Sequence, residues 1–256
     1  MLKIYLIRHG QTEWNLLDKM QGAKNSNLTI KGKTQAIALG KKLAPINFDK
    51  IYASSTARAV ETSKLIFPDK NINHSLYLRE IAMGAWEGKT YSQIQEHDPE
   101  EWNNFFNAPF SYKPSNGGES FKQLEQRLEN FINTEKLFSQ DGIIAIVSHR
   151  ITLRMLLSIL LKDKKLFSQI DLNPTSLSMV EINNNEFESW YNKKSLTNAW
   201  AFVLYYKGLQ AFLYLKIEDE AVEDVNPVLP SQRRLKIGTF KVHPHGTRLG
   251  ERFIKK

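Results

Sequence analysis

Residues 3–15 read KIYLIRHGQTEWN, an apolar run that halts at Arg8-His9-Gly10 and is followed by Gln11, Thr12 and Asn15. Ile4, Tyr5, Leu6 and Ile7 are β-branched or aromatic in three of four positions, and a glycine closes the run, which is the pattern of a buried strand. A cation, an imidazole and a flexible backbone therefore stand just past the carboxyl end of that strand. Ligands of open α/β sheets bind at such ends, and the forked donors of arginine suit a phosphoryl oxygen. Taken alone, the tripeptide is better read as a buried histidine beside a surface arginine, because short motifs recur by accident.

Two further segments repeat the arrangement. Residues 50–59, KIYASSTARA, predict a strand, a small polar turn offering N-caps, and a helix with Arg58 in its first turn. Ile143 to Val147 is the strongest strand signal in the chain; it ends at Ser148-His149 and runs into an apolar helix from Ile151 to Leu161. Two histidines and two arginines thus fall at strand ends or at the helix starts that follow. A parallel sheet gathers such ends along one edge, so a single shared anion site accounts for all four.

With these residues in place, the chain resembles the histidine phosphatase superfamily, which includes the cofactor-dependent phosphoglycerate mutases. The likeness is carried by Leu6 to Thr12 with Asn15, by Leu28-Thr29 with Gly32, Gln35 and Ala36, and by Ser54 with Arg58, Ala59 and Thr62. It continues through Leu78-Arg79-Glu80-Ile81, Gly84, Trp86-Glu87-Gly88, Gly118-Glu119-Ser120 with Arg127, and Val147-Ser148-His149, covering roughly residues 1–192. The resemblance implies an α/β fold, a three-layer sandwich around a mostly parallel central sheet. It implies that His9 is the nucleophile that becomes phosphohistidine, and that Arg8, Arg58 and His149 hold the phosphoryl oxygens. Asn15 would be an additional donor, Gln21 and Gly22 would belong to the substrate-binding set, and Glu80 would act as acid for the leaving alcohol and then as base for water. It implies no cofactor and no metal.

The chemistry of the residues agrees. Attack needs an unprotonated imidazole nitrogen, and two guanidinium groups nearby disfavour a second proton on His9. Phosphoryl transfer asks mainly for positioning and charge neutralisation, which an Arg/His cage supplies. Ile81, Met83 and Trp86 would provide the partly apolar surroundings in which Glu80 could carry a proton. For Glu80 and Glu87 a water-facing carboxylate is the alternative reading. His74, His97 and Glu13 are read as surface groups, and Trp102, Phe105 and Phe106 as the apolar face of a helix. Pro109, Pro114 and Gly117-Gly118 mark a loop that could cover the site as a lid.

Hydrolases and mutases share the phosphohistidine. The compact segment LREIAMGAWEGKT, residues 78–90, looks like the phosphatase branch, since the family's mutases carry a longer tyrosine-containing insertion there. The expected function is hydrolysis of a small phosphorylated metabolite; the alternatives are phosphoglycerate mutase activity and a phosphate-binding pseudoenzyme. Two departures from the family stand out. Arg150 occupies a usual glycine, with Arg154 one turn on, which either extends the anion site toward a second charge or projects outward; Asn25 replaces a common acidic residue.

Composition sets outer bounds. The 256 residues contain no Cys, which excludes disulfides and thiolate chemistry. An immediate first strand leaves no room for a signal peptide, and no apolar run of about 18 residues could span a membrane, so a cytoplasmic protein is expected. Of the net charge of +8, little belongs to the first part: residues 1–192 hold 23 Lys and Arg against 21 Asp and Glu, whereas residues 193–256 hold 12 against 6. No basic stripe interleaved with aromatics is present, so nucleic acid is not an expected partner; oligomeric state is left open.

After a polar junction at residues 193–198, Trp200 to Tyr206 and Leu209 to Ile217 read as a β-hairpin around Lys207-Gly208, and Leu235 to Val242 as a third strand. Residues 199–256 resemble part of an N-acetyltransferase of the GNAT family, with Gly246 and Gly250 matching a pyrophosphate-cradling loop at a helix start. The expectation is an antiparallel β fragment, truncated about one turn into that helix and without a complete acyl-CoA cleft.

Overall fold

A computed structural model describes residues 1–182 in full and the backbone of residues 199–205, 209–218 and 234–242. The chain divides into two units, Met1–Asn184 and Asn185–Lys256. The first unit contains strands β1 (Leu2–Arg8), β2 (Lys50–Ser54), β3 (Asn73–Ser75), β4 (Gly142–Ser148) and β5 (Leu177–Ile182). Its helices are α1 (Glu13–Leu16), α2 (Ile30–Leu43), α3 (Ala57–Ile66), α4 (Tyr91–His97), α5 (Pro99–Asn107), α6 (Phe121–Thr134), α7 (Arg150–Leu160) and α8 (Leu166–Gln169). The second unit contains β6 (Ala199–Tyr205), β7 (Leu209–Glu218) and β8 (Arg234–Val242).

The five strands of the first unit form one sheet in the order β3-β2-β4-β1-β5. All pairs are parallel except β1 with β5. Strand alternation sends successive side chains to opposite faces. Leu2, Ile4 and Leu6 of β1, Tyr52 of β2, and Ile144 and Ile146 of β4 pack with Leu124, Leu128 and Phe131 of α6 and Leu153 and Leu156 of α7. Ile7, Ile51, Ala53, Ala145 and Val147 face the other way, onto Ala36 and Leu43 of α2 and Ile66 of α3. The sheet is therefore buried on both faces between two helical layers, the expected three-layer α/β sandwich.

That layering creates the site. β1 and β4 are adjacent, with Arg8 opposite Ser148. From β1 the chain leaves toward the α2 face, and from β4 it enters α7 on the other face. Two neighbouring parallel strands whose continuations diverge leave a crevice beyond their carboxyl ends.

In the second unit β6, β7 and β8 form an antiparallel sheet in that order. The two hairpin strands and the third strand read from the sequence are present within a residue or two at their ends. The Lys207-Gly208 turn, the junction at residues 193–198 and the glycine loop with its helix start lie outside the described residues. No helix among the described residues is long and apolar enough to cross a membrane.

Candidate active site

His9 follows β1 and is fixed by its own backbone: its amide donates to the Ser148 carbonyl at 2.9 Å. Its ring Nδ1 lies 2.8 Å from the Gly10 carbonyl oxygen. A carbonyl only accepts, so Nδ1 carries the proton and Nε2 keeps its lone pair. Burial above all, then Arg58 and Arg8, holds the His9 pKa well below the ordinary imidazole range. Gly10 is required by close approach: a Cβ there would sit 2.8 Å from the Gly32 carbonyl oxygen, and the Gly10 amide donates to Thr62 Oγ1 at 3.0 Å.

His149 is the N-cap residue of α7 and is fully buried, its ring 5.0 Å from that of His9. Its Nε2 lies 2.8 Å from Ser54 Oγ and 3.1 Å from Thr56 Oγ1, while Nδ1 is buried without a partner. Burial, then Arg58, His9 and Arg8, depresses its pKa as well.

These two histidines make a pH prediction. The unfolded chain binds protons on both below about pH 6.5, whereas the folded chain takes them up only at lower pH. The unfolded state then holds more protons, so stability is full above about pH 6.5 and falls as pH drops from there, by at most about 1.4 kcal/mol per pH unit for each histidine. Urea denaturation in phosphate-free buffer at successive pH values measures the slope, and His149→Gln should reduce it.

Arg58 is 1 % exposed, yet no carboxylate lies within ion-pair distance of it among the described residues. Its Nη1 donates to the Lys24 carbonyl at 2.6 Å and its Nη2 to the Gly22 carbonyl at 2.8 Å, leaving Nε buried and unpartnered. Burial lowers its pKa to about 10, against the opposing pull of Glu80 and Glu87. Gly22 is needed for this grip, since it adopts φ +54° and a Cβ there would run into Glu87. Arg8 repeats the pattern: Nη1 donates to the Leu172 carbonyl at 2.5 Å, Nε is buried without a partner, and burial followed by Arg150 lowers its pKa. Two guanidinium groups, one buried and one partly buried, thus lack an anion, and each orphaned Nε–H costs free energy until one arrives.

Glu80 does not simply face water. Its Oε1 accepts from the Thr152 amide at 3.1 Å and the Thr152 hydroxyl at 2.9 Å, and Oε2 accepts from the Ile151 amide at 3.3 Å, which seats the carboxylate on the first turn of α7. Its loop is clamped from outside: Arg127 pairs with Glu119 through Nε at 2.9 Å and Nη2 at 2.8 Å, and Nη1 donates to the Arg79 carbonyl at 3.0 Å. Ile81, Met83 and Trp86 are buried as core residues.

Asn15 and Gln21 are present but arranged differently from a plain pair of donors. Asn15 Oδ1 accepts from the Thr12 amide and hydroxyl, both at 3.0 Å, in a capping box, which leaves Nδ2 as the end of this cavity-lining side chain able to donate. Gln21 spends its Nε2 on Thr12 Oγ1 at 2.9 Å, so the atom left buried and unpartnered is its acceptor Oε1. That atom suits a hydroxyl or ammonium group, and not a phosphoryl oxygen.

A cavity of about 90 Å³ lies beside the two histidines: Arg8, Asn15, Gln21, Gly22, Arg58 and Glu80 are in its lining, whereas His9 and His149 are not. Several lining residues have no counterpart in the sequence reading. Tyr91, Phe121 and Phe167 form apolar wall, as do Phe105 and Phe106, so the helical face at Trp102 to Phe106 does two jobs. Phe105 is core at 3 % exposure, whereas Phe106 is 45 % exposed beside the cavity. No residue of the loop read as a lid lines the cavity; Tyr112 buries into the aromatic cluster and Ser115 is tied to Glu101. Glu87 is likewise no surface carboxylate, because it accepts from the Ala23, Lys24 and Met83 amides at 2.7, 3.2 and 3.0 Å and so holds the loop that grips Arg58. Asn25 accepts from the Arg58 amide at 3.0 Å, capping α3 from a distance where Thr56 makes no side-chain cap. Among the described residues no group of three or more His, Cys, Asp or Glu is gathered as a metal site.

A family model described as "Histidine phosphatase superfamily (branch 1)" matches residues 4–193. This match gives the acetyltransferase likeness of the tail no support. Phosphoserine phosphatase 1 of Hydrogenobacter thermophilus is 29% identical over 63% of this chain and 77% of that protein. A probable phosphoglycerate mutase, GpmB, of Salmonella typhi is 31% identical over 63% of this chain and 75% of its own length. The solved structure of Bacillus stearothermophilus YhfR superposes with a TM-score of 0.67 at 33% identity, covering 72% of this chain and 92% of that one.

Proposed function

From the premise that this chain belongs to the histidine phosphatase superfamily, we propose that it hydrolyses small phosphomonoesters through a phosphohistidine at His9. The observation that carries this reading is an unprotonated Nε2 on buried His9 together with two guanidinium groups that have no anion of their own, buried Arg58 and partly buried Arg8, each with a buried, unpartnered Nε. The dianionic phosphoryl group supplies the missing charge and brings phosphorus to the imidazole.

In the proposed first step Nε2 of His9 attacks phosphorus, the bond from phosphorus to the ester oxygen breaks, and Glu80 gives its proton to the departing alkoxide. Charge builds on the equatorial oxygens, where Arg8, Arg58 and, with its proton on Nδ1, His149 donate; in that tautomer His149 Nε2 accepts from a hydroxyl of Ser54 or Thr56. In the second step Glu80 takes a proton from water, the water oxygen bonds to phosphorus, and the P–N bond breaks. The first-turn amides of α7 keep Glu80 in place for both roles. Relatives named as phosphatases support hydrolysis, and the mutase name among them makes phosphoryl return to a sugar-acid acceptor the competing outcome.

A panel of phosphomonoesters, assayed without any bisphosphate primer, tests this. Release of inorganic phosphate with kcat on the order of 1 per second or more is expected for at least one small ester. Isomerisation that depends on bisphosphate would instead make the protein a mutase, and vanadate binding without turnover of any ester would make it a phosphate-binding pseudoenzyme.

A further inference from the structure

Two arginines of α7 are not needed to hold one phosphoryl group, yet both line the same cavity as Arg8 and Arg58. Arg150 and Arg154 lie one turn apart, so their side chains share a helix face. Arg154 is anchored by its Nε, which donates to the Phe167 carbonyl at 2.6 Å, and its guanidinium lies over the Phe167 ring at 4.5 Å. No carboxylate is within ion-pair distance of Arg154 among the described residues. Arg150 is braced on the rim by Asp171, with Nε and Nη2 both 2.7 Å from Oδ1. Lys19 adds a further cation to the lining, against Glu80 as the lining carboxylate.

The electrostatics agree with the geometry. Arg154 has its pKa lowered by burial and then by Arg150, and Arg8 is lowered by burial and then by Arg150. The cavity therefore gathers cations that repel one another across its width, a standing cost that a second negative group relieves. Tyr91 joins the two ends, since Arg150 and Arg8 both act on its phenol while burial raises its pKa.

We propose that Arg150 and Arg154 form a second anion subsite, so that the substrate is a small phosphomonoester bearing a further acidic group, carboxylate or phosphoryl. The inference rests on the hydrolase reading for the first phosphoryl group, and goes beyond it by assigning the class of the remainder. Braced guanidinium forks lose little freedom on binding, and each engaged charge gives about tenfold in affinity or transition-state binding.

Three probes of similar size separate the cases: glycerol 3-phosphate with a neutral remainder, 3-phosphoglycerate with a carboxylate, and propane-1,3-diol bisphosphate with a second phosphoryl group. The wild type is expected to favour at least one of the two acidic probes over glycerol 3-phosphate by about tenfold or more in kcat/KM. Arg150→Gln and Arg154→Gln should each cut that ratio at least threefold, and the double variant should bring it near unity. No preference in the wild type, or a ratio unmoved in both variants, overturns the subsite. Calorimetric binding of the same probes to His9→Ala protein reads the subsite without turnover. Tighter binding of an acidic probe there, with no hydrolysis by the wild type, would sustain the subsite and sink the hydrolase reading; equal binding of all three would sink the subsite alone.

Discussion

His9→Ala is expected to lower phosphomonoester turnover by at least about a thousand-fold, the scale of loss when the atom that forms a covalent intermediate is removed. The fold should survive, because the interactions that set this turn belong to the backbone: the His9 amide on Ser148, the Gly10 amide on Thr62, and the Arg8 carbonyl accepting from the Thr175 amide. The change leaves a small void beside His149 and removes one Nδ1–H to Gly10 bond, a cost of about 1–3 kcal/mol. Turnover and denaturant midpoint measured on one preparation separate the two effects. A variant that keeps a tenth or more of wild-type activity would show that His9 is not the attacking group.

The second large effect is at Arg58, where function and stability should part. Arg58→Met keeps the apolar stem and removes a buried cation that lacks a carboxylate partner, while the Gly22 and Lys24 carbonyls lose their donors. Relief of the desolvation penalty and loss of two hydrogen bonds oppose each other, so stability should remain within about 2 kcal/mol of wild type. Activity should fall by about 10²–10³-fold, as when one preorganised donor to the transition state is lost. A readout free of turnover accompanies this: vanadate should raise the melting temperature of the wild type through binding to the folded state, and should fail to do so for Arg58→Met. Equal vanadate shifts in both proteins would remove Arg58 from the phosphate cage.

The parts of the site legible in the sequence are those tied to strand ends. Arg8-His9, Arg58 and Ser148-His149 each follow an apolar run whose period identifies a strand, and parallel pairing of β1 with β4 and of β4 with β2 brings them together. The residues that organise the cage were not legible in the same way, because their partners are distant in the chain. Glu87 holds amides 63 and 64 positions away, Asn25 caps a helix 33 positions on, and Arg127 grips the carbonyl of Arg79 from 48 positions away. A carboxylate that accepts three backbone amides has the same sequence signature as one that faces water.

The covering of the cavity shows the same limit. Pro and Gly marked residues 109–118 as a loop, which is correct locally, since a short 3₁₀ turn at Pro109–Ser111 and left-handed Gly117 lie within it. Whether that loop closes over a site depends on Tyr112, whose ring turns inward onto Phe105, Phe121 and Trp86 and fastens the segment to the core. The short edge strand β3 and the antiparallel edge β5 were equally hidden. β3 is three residues long, and β5 alternates in burial but carries apolar Leu177 and Met179 at exposed positions and Ser178 between them, so its sequence shows no apolar–polar alternation.

The central claim is a covalent bond between phosphorus and His9, and it is tested most directly by trapping that bond. Wild-type protein mixed with a turned-over phosphomonoester, quenched in denaturant at alkaline pH within milliseconds and digested, should yield a peptide containing His9 that is heavier by one phosphoryl group. The modification should be stable to base and lost in mild acid, and it should be absent from His9→Ala. A phosphoryl group found on any other residue, or rapid turnover with no phosphopeptide at any quench time, would contradict the account.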